Sequence, residues 1–399
     1  MRWVLLVLLA ATAEGRTLQG VLGDAQERVG LRPAPVFTTF ASHFATLVTT
    51  PSLTSSTSAA LTGGAVIDSS MGELGPIFLD HAATLGQGVW NVNAVAQRGF
   101  ADASLFGQPF AGLGLDAFPL LERRTPTGNP GSPTLLGIRL RYQLDLHLWA
   151  AAFAASYGVT DSLDVSLVLP VIATRLSCAV RARVVAAQQG GRFVPVMFPP
   201  VGGTIEPVSS TGIGDLTARL KYRLPVPEPW RLAATVTAQF PTCDPLELHG
   251  NGAYWLAPGL DVAVPLWDRR AELTGYAGMN VNLTFPRQTE VLYGLSGSVM
   301  LWPKRLAAIL EFLGASQLTS AFAPHDTDVL VLTPSGVQAD PLLGIGWTGR
   351  VDEWSLAFGL RGRFPAGLIL YANGLVPLNR DAGVRPAGVI PTVGLGWSF

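Results

Sequence analysis

After its first dozen residues the sequence contains no apolar run of the roughly 18 residues that a membrane-spanning helix requires. Yet 48% of its 399 residues are hydrophobic and the mean hydropathy is +0.34. Charge is scarce too: Asp, Glu, Lys and Arg make up 14%, the net charge is -1 and no basic tract occurs, which argues against nucleic acid as a partner. Histidine is limited to five residues, His43, His81, His147, His249 and His325. No Ser/His/acid spacing, Gly-flanked nucleophile or paired ligand spacing accompanies them, so neither catalysis, a metal centre nor a cofactor is expected. Hydrophobicity that is distributed rather than concentrated suits a closed β-barrel. Each unpaired backbone group in hydrocarbon costs several kcal/mol, and only helices and closed barrels avoid that cost. A large soluble β-protein is the alternative.

What the chain does contain is strand periodicity. Val389, Pro391, Val393, Leu395, Trp397 and Phe399 alternate with Ile390, Thr392, Gly394, Gly396 and Ser398. An aromatic carboxyl-terminal strand of this kind is how outer-membrane barrels usually finish, with Trp397 and Phe399 as the expected signal to the barrel-assembly machinery. Upstream, Arg139, Arg141, Gln143, Asp145 and His147 alternate with Leu140, Tyr142, Leu144, Leu146 and Leu148. Asp215, Thr217, Arg219, Lys221 and Arg223 alternate with Leu216, Ala218, Leu220, Tyr222 and Leu224, and Glu272, Thr274, Tyr276, Asn280 and Asn282 oppose Leu273, Ala277, Met279, Val281 and Leu283. Apolar positions are expected to face lipid and polar ones a lumen.

Connections alternate in length. Short turns are expected at 158–162, 225–229, 267–270 and 302–305, and longer loops near 98–138, 174–211, 241–252 and 319–353. Short periplasmic turns and long external loops describe an outer-membrane, up-and-down antiparallel barrel. With both ends on the periplasmic side the strand number is even: about 12, with 14 as the alternative if 319–364 holds an extra hairpin. Aromatics near strand ends, among them Trp90, Tyr157, Trp230, Phe240, Trp267 and Trp302, suit interfacial girdles. Cys178 and Cys243 fall in loops on the same external side; they are a candidate disulfide, and two independent thiols is the other reading.

The amino terminus reads as a signal peptide over residues 1–13: Arg2, an apolar run from Val4 and a small-x-small site at Ala11-Thr12-Ala13. Residues 14–85 lack sustained alternation and are Ser- and Thr-rich around 49–58, so this segment is set apart from the barrel of 86–399.

The stretch from Tyr157 to Val165 with Leu169-Pro170-Val171, followed by Gly212-Ile213-Gly214-Asp215-Leu216 and Leu220-Lys221-Tyr222-Arg223, resembles the putative outer-membrane proteins of the phenol-degradation meta-pathway family. Residues 74–82, 84–88, 376–379 and 383–386 are similar to that family's pre-barrel segment and closing hairpin. The resemblance implies kinship with the fatty acid and toluene transporters of Gram-negative outer membranes, and uptake of small hydrophobic compounds. It also implies a plug: Pro76, Ile77, Phe78, Asp80 and His81 are candidates, on a short helix over 76–84 that enters the lumen, with a periplasmic tail as the alternative.

Candidate selectivity residues on the lumen face are Arg139, Arg141, Asp145, His147, Asp215, Arg219, Lys221, Arg223, Glu272 and Asn280. Mixed charges either tune what passes or pair with one another and rigidify the interior. The expected function is an outer-membrane channel for small hydrophobic or aromatic solutes, with outer-membrane lipids around it. A structural or adhesive barrel is the alternative.

Overall fold

A computed structural model describes residues 76–79, 81–101, 120–123, 134–189, 192–195, 201–243, 249–250, 252–284, 286, 289–303, 305–318, 328–333, 336–341, 352–378 and 389–399. Side chains of residues 98–146, 148, 176, 178–202, 204–206, 328–341, 353 and 377 lie outside that set. The signal-peptide reading, residues 14–75 and the 383–386 segment also fall outside it.

The strands are β1 (Trp90–Ala101), β2 (Leu120–Arg123), β3 (Thr134–Thr160), β4 (Leu163–Gln189), β5 (Arg192–Pro195), β6 (Val201–Ile213), β7 (Leu216–Leu224), β8 (Arg231–Phe240) and β9 (Trp255–Leu266). They continue with β10 (Ala271–Asn282), β11 (Glu290–Trp302), β12 (Leu306–Gln317), β13 (Asp328–Thr333), β14 (Gly336–Pro341), β15 (Asp352–Arg363), β16 (Leu368–Pro377) and β17 (Ile390–Ser398).

Each strand from β7 to β12 pairs antiparallel with the next, β12 pairs with β15, and β15, β16 and β17 follow. β17 pairs with β1, β1 with β3, β3 with β4 and β4 with β7, which closes the ring. The ring β1, β3, β4, β7 to β12 and β15 to β17 is a 12-strand transmembrane antiparallel barrel. Closure removes the sheet edges, which is why such a chain can sit in lipid without unpaired backbone. Trp90 and Phe399 seal the seam by exchanging N–H···O bonds of 3.0 and 3.1 Å.

Side-chain burial alternates along the ring strands. In β7, Leu220 and Tyr222 are 51% and 48% exposed, while Lys221 between them is 4% exposed. In β17, Pro391, Val393, Leu395 and Trp397 are exposed and Ile390, Thr392 and Gly396 buried. A surface that exposes its leucines and buries its lysines is matched to hydrocarbon outside and a polar interior. Aromatic bands mark the two rims of this surface. At the short-turn end Trp90 stacks on Tyr157 at 4.7 Å, Trp397 lies 5.2 Å from Phe399 and donates to Ala366 O at 2.8 Å, and Arg305 covers Trp302. At the opposite end Phe240 meets Tyr254 edge-on at 6.5 Å, and Trp354 Nε1 donates to Tyr293 Oη at 2.8 Å. Rings with a polar edge are favoured at both interfaces.

Two expected boundaries move. β3 and β4 are 27 residues each, so the hairpin runs far beyond the 9 to 11 residues needed to cross a bilayer, and β2, β5 and β6 extend it into a wing. The expected 174–211 loop is therefore largely strand, and Cys178 stands within β4 opposite Leu144 and Ile205 rather than in a loop. Within 319–353, β13 and β14 form a hairpin of their own that does not join the ring, which leaves the count at 12 rather than 14.

Candidate functional site

Residues 76–85 form a strap across the lumen. Ile77, Phe78, Leu79, His81, Ala82, Ala83, Thr84 and Leu85 are all buried, and their partners come from widely separated strands of the ring. Ile77 packs with Val95, Ala150, Ala152, Ala154, Val168, Ile309 and Tyr371; Phe78 packs with Ala357, Leu375 and Ile390; Ala82 packs with Ala233 and Ala263. A Cβ on Gly294 of β11 would collide with Leu79, so glycine there makes room for the strap.

Polar contacts hold the strap from the other direction. Glu311 accepts the backbone N–H groups of Ile77 and Phe78 on its two carboxylate oxygens, at 2.6 and 2.9 Å. His81 Nε2 lies 2.6 Å from Glu272 Oε1, and its Nδ1 accepts the Ala83 N–H at 2.9 Å. Because Nδ1 is an acceptor there, Nε2 carries the proton and donates to Glu272. Glu272 also meets Arg231 Nη1 at 3.3 Å. Lys221 Nζ donates to His81 O at 3.2 Å, Leu85 N–H donates to Asp164 Oδ2 at 3.0 Å, and Thr84 Oγ1 donates to Asp161 O at 2.7 Å. Charge-assisted bonds of this kind are the stronger class, each about 1.5–3 kcal/mol.

The expected helix over 76–84 is not formed. Residues 77–79 and 82 are bends, with irregular backbone around them. The physical reason lies in the donors: the Ala83 and Leu85 N–H groups, which a continuing helix would use internally, are taken by His81 Nδ1 and Asp164. The chain leaves the lumen through Gly86 and Gly88, both at positive φ (+91° and +80°). The Gly86 carbonyl passes so close to Gly158 that no Cβ fits there.

Among the candidate residues, Lys221 and Glu272 face inward and touch the strap. Arg219 also faces inward, toward Asp261 and Tyr276, and Asn280 is half-buried on the lumen side. Arg223 is exposed at the short-turn end of β7. Asp215 is buried between β6 and β7 and accepts from Gln239 Nε2 at 3.0 Å and from the Thr242 and Cys243 backbone at 3.2 and 3.4 Å. It thereby fastens the start of the 241–252 loop. Arg139, Arg141 and Asp145 stand in the projecting part of β3, with side chains outside the described residues, as is Asp80.

Two expectations are corrected. His147 does not line the lumen: it is exposed in the same phase as Trp149 and Phe153, whereas Ala150, Ala152 and Ala154 are buried in the cluster that contains Ile77. The apolar alternation over 139–148 is offset by one residue from the exposed phase of Trp149 and Phe153. The second correction concerns the disulfide. Cys243 is in no disulfide, and its Sγ donates to Asp215 Oδ1 at 3.0 Å. Sequence reading did not foresee that Glu311 and Asp164 hold the strap. It passed over Asn91, Asn93 and Gln97, whose shared odd-numbered phase in 87–97 was the available signal.

No family model and no curated protein matches the chain, so the resemblance to the phenol-degradation meta-pathway family is carried by the quoted residues alone. Among solved structures, the chain is similar to an outer-membrane channel from Pseudomonas putida F1 at 13% identity and a TM-score of 0.42, covering 82% of this chain and 100% of that one. It is also similar to a FadL homologue from Pseudomonas aeruginosa (13% identity, TM-score 0.32, 86% and 92% covered) and to the CymD monoaromatic hydrocarbon channel (10%, 0.37, 86% and 97%). These values are too low for any of the three to indicate which solute this chain takes.

Proposed function

We propose that the chain is an outer-membrane channel of a Gram-negative bacterium for small hydrophobic or aromatic compounds, with the segment 14–85 acting as a lumen plug and 86–399 as the pore. The observation that carries this reading is the strap itself, threaded through the barrel and held by Glu311, Glu272, Lys221 and Asp164. A barrel that serves only as a scaffold needs no such insert, whereas a channel that must remain closed to ions does. The lumen also carries apolar patches around Ile77 and Phe78, which suit a greasy solute better than an ion. Passage requires the strap to shift, and its grip by hydrogen bonds rather than covalent links permits that.

The wing formed by β2, β5, β6 and the long β3–β4 hairpin favours a second reading, an adhesive barrel without transport. Initial uptake rates of phenols, hydrocarbons and fatty acids in a deletion strain, with and without the gene restored, separate the two. A channel restores uptake of at least one class severalfold; identical rates for all of them leave only the adhesive reading.

A further inference from the structure

Gln97, Thr392 and Asn373 stand side by side on β1, β17 and β16: Gln97 is in register with Thr392, and Thr392 with Asn373. All three belong to the inward-facing phase of their strands. Gln97 is 2% and Thr392 1% exposed. Both amide atoms of Gln97, both of Asn373 and the hydroxyl of Thr392 are buried, and among the described residues none has a hydrogen-bond partner. Buried amides and hydroxyls are almost always paired. An uncharged row of donors and acceptors left without partners among the described residues is thus equipped to receive a polar group from outside the chain.

Its surroundings define what that group is attached to. One row toward the long loops lie Ala357, Leu375 and Ile390; one row toward the short turns lie Tyr371, Val95 and Ala152. Phe78 packs on the first of these rows and Ile77 on the second, so the polar row sits at the tip of the strap. Gly359 and Ala150 end the row on either side. Two charged residues flank it: Arg361, in register with Tyr371 of the short-turn row, and Glu311, in register with Ala357 of the long-loop row.

Resting on the channel reading above, we propose that Gln97, Thr392 and Asn373 form a subsite for the hydroxyl or carbonyl group of a small, uncharged, otherwise apolar solute, whose ring or chain takes the place of Ile77 and Phe78 on the flanking apolar rows when the strap shifts. Carboxamides and a hydroxyl both donate and accept, as such a group requires. They carry no charge to offset the desolvation of an ion. A site built to hydrogen-bond a hydroxyl discriminates strongly against an analogue without it, because the buried partners are then left unpaired.

Equilibrium dialysis of the full-length protein in nanodiscs, with empty nanodiscs subtracted, tests this with 4-methylphenol, p-xylene and 4-methylbenzoate. The protein is expected to bind 4-methylphenol about tenfold or more tighter than p-xylene. Gln97→Leu and Asn373→Leu are expected to abolish that preference while leaving p-xylene unchanged. Thr392→Val, nearly isosteric, should weaken 4-methylphenol severalfold even where the leucine variants fail to assemble. Assembly is checked by the heat-modifiable gel shift. Equal binding of 4-methylphenol and p-xylene, variants that keep the preference, or tighter binding of 4-methylbenzoate each overturns the proposal. Discriminating binding without uptake in the deletion strain rejects the channel reading and leaves the subsite standing. Uptake without discriminating binding does the reverse.

Discussion

On the side of the lumen built by β4, β7, β10 and β12, the wall meets the strap with charge: Asp164, Lys221, Glu272 and Glu311 all bond to it. On the side built by β1, β16 and β17, it meets the strap with Val95, Tyr371, Leu375 and Ile390, between which lie the neutral side chains of Gln97, Thr392 and Asn373. The difference separates two tasks within one cylinder. Directional bonds fix where the strap lies, because a backbone N–H has few acceptable geometries. Apolar contact is non-directional and lets the same surface hold the strap tip or a solute. A wall that only gripped would leave no surface for a greasy solute, and a wall that only packed would let the strap slide.

Breaking the gripping side should therefore matter more than trimming the packing side. The largest effect is expected from Glu311→Ala, which removes the acceptor of two buried N–H groups and costs the seated strap about 3 kcal/mol or more. With cysteine placed at position 78 in a background lacking Cys178 and Cys243, maleimide labelling of intact vesicles should accelerate about a hundredfold, at 1.4 kcal/mol per decade. Next comes a control on the outer surface: Leu220→Arg puts a charge on the lipid face of β7, at about 2–4 kcal/mol near the midplane. It should lower the urea midpoint of folding into bilayers without exposing the strap to label. His81→Leu removes the 2.6 Å contact with Glu272 and the acceptor of Ala83 N–H, and about tenfold faster labelling is expected from a loss of about 1–2 kcal/mol. The smallest change is expected from Val95→Ala on the packing side, about 1 kcal/mol and a few-fold in labelling. Should Val95→Ala outweigh Glu311→Ala, the contrast between the walls is wrong.

The barrel was readable in the sequence because its signal is local. Strict alternation over 389–399 and 272–283 reports which neighbour faces lipid, and that information is contained within two residues. The strap was readable as a segment that belonged to no strand, but its form was not. Its partners lie 191 residues away at Glu272 and 234 at Glu311, and no local pattern announces that a carboxylate will take the donors of a would-be helix turn. His147 was misassigned for a related reason: the apolar alternation over 139–148 is offset by one residue from the exposed phase of His147, Trp149 and Phe153. The thiol of Cys243 shows the same limit. Its partner Asp215 is supplied by the start of β7, and the intervening loop gives no hint of the contact.

Ion conductance across planar bilayers tests the central claim most directly, that residues 76–85 lie inside a lipid-embedded barrel and close it. The intact protein is compared with the Glu311→Ala variant and with a chain lacking residues 14–85, each verified as folded by its heat-modifiable gel shift. The account predicts near-silent bilayers for the intact chain, intermittent openings for the variant and a persistently open pore for the truncated chain. Equal conductance for all three would contradict it.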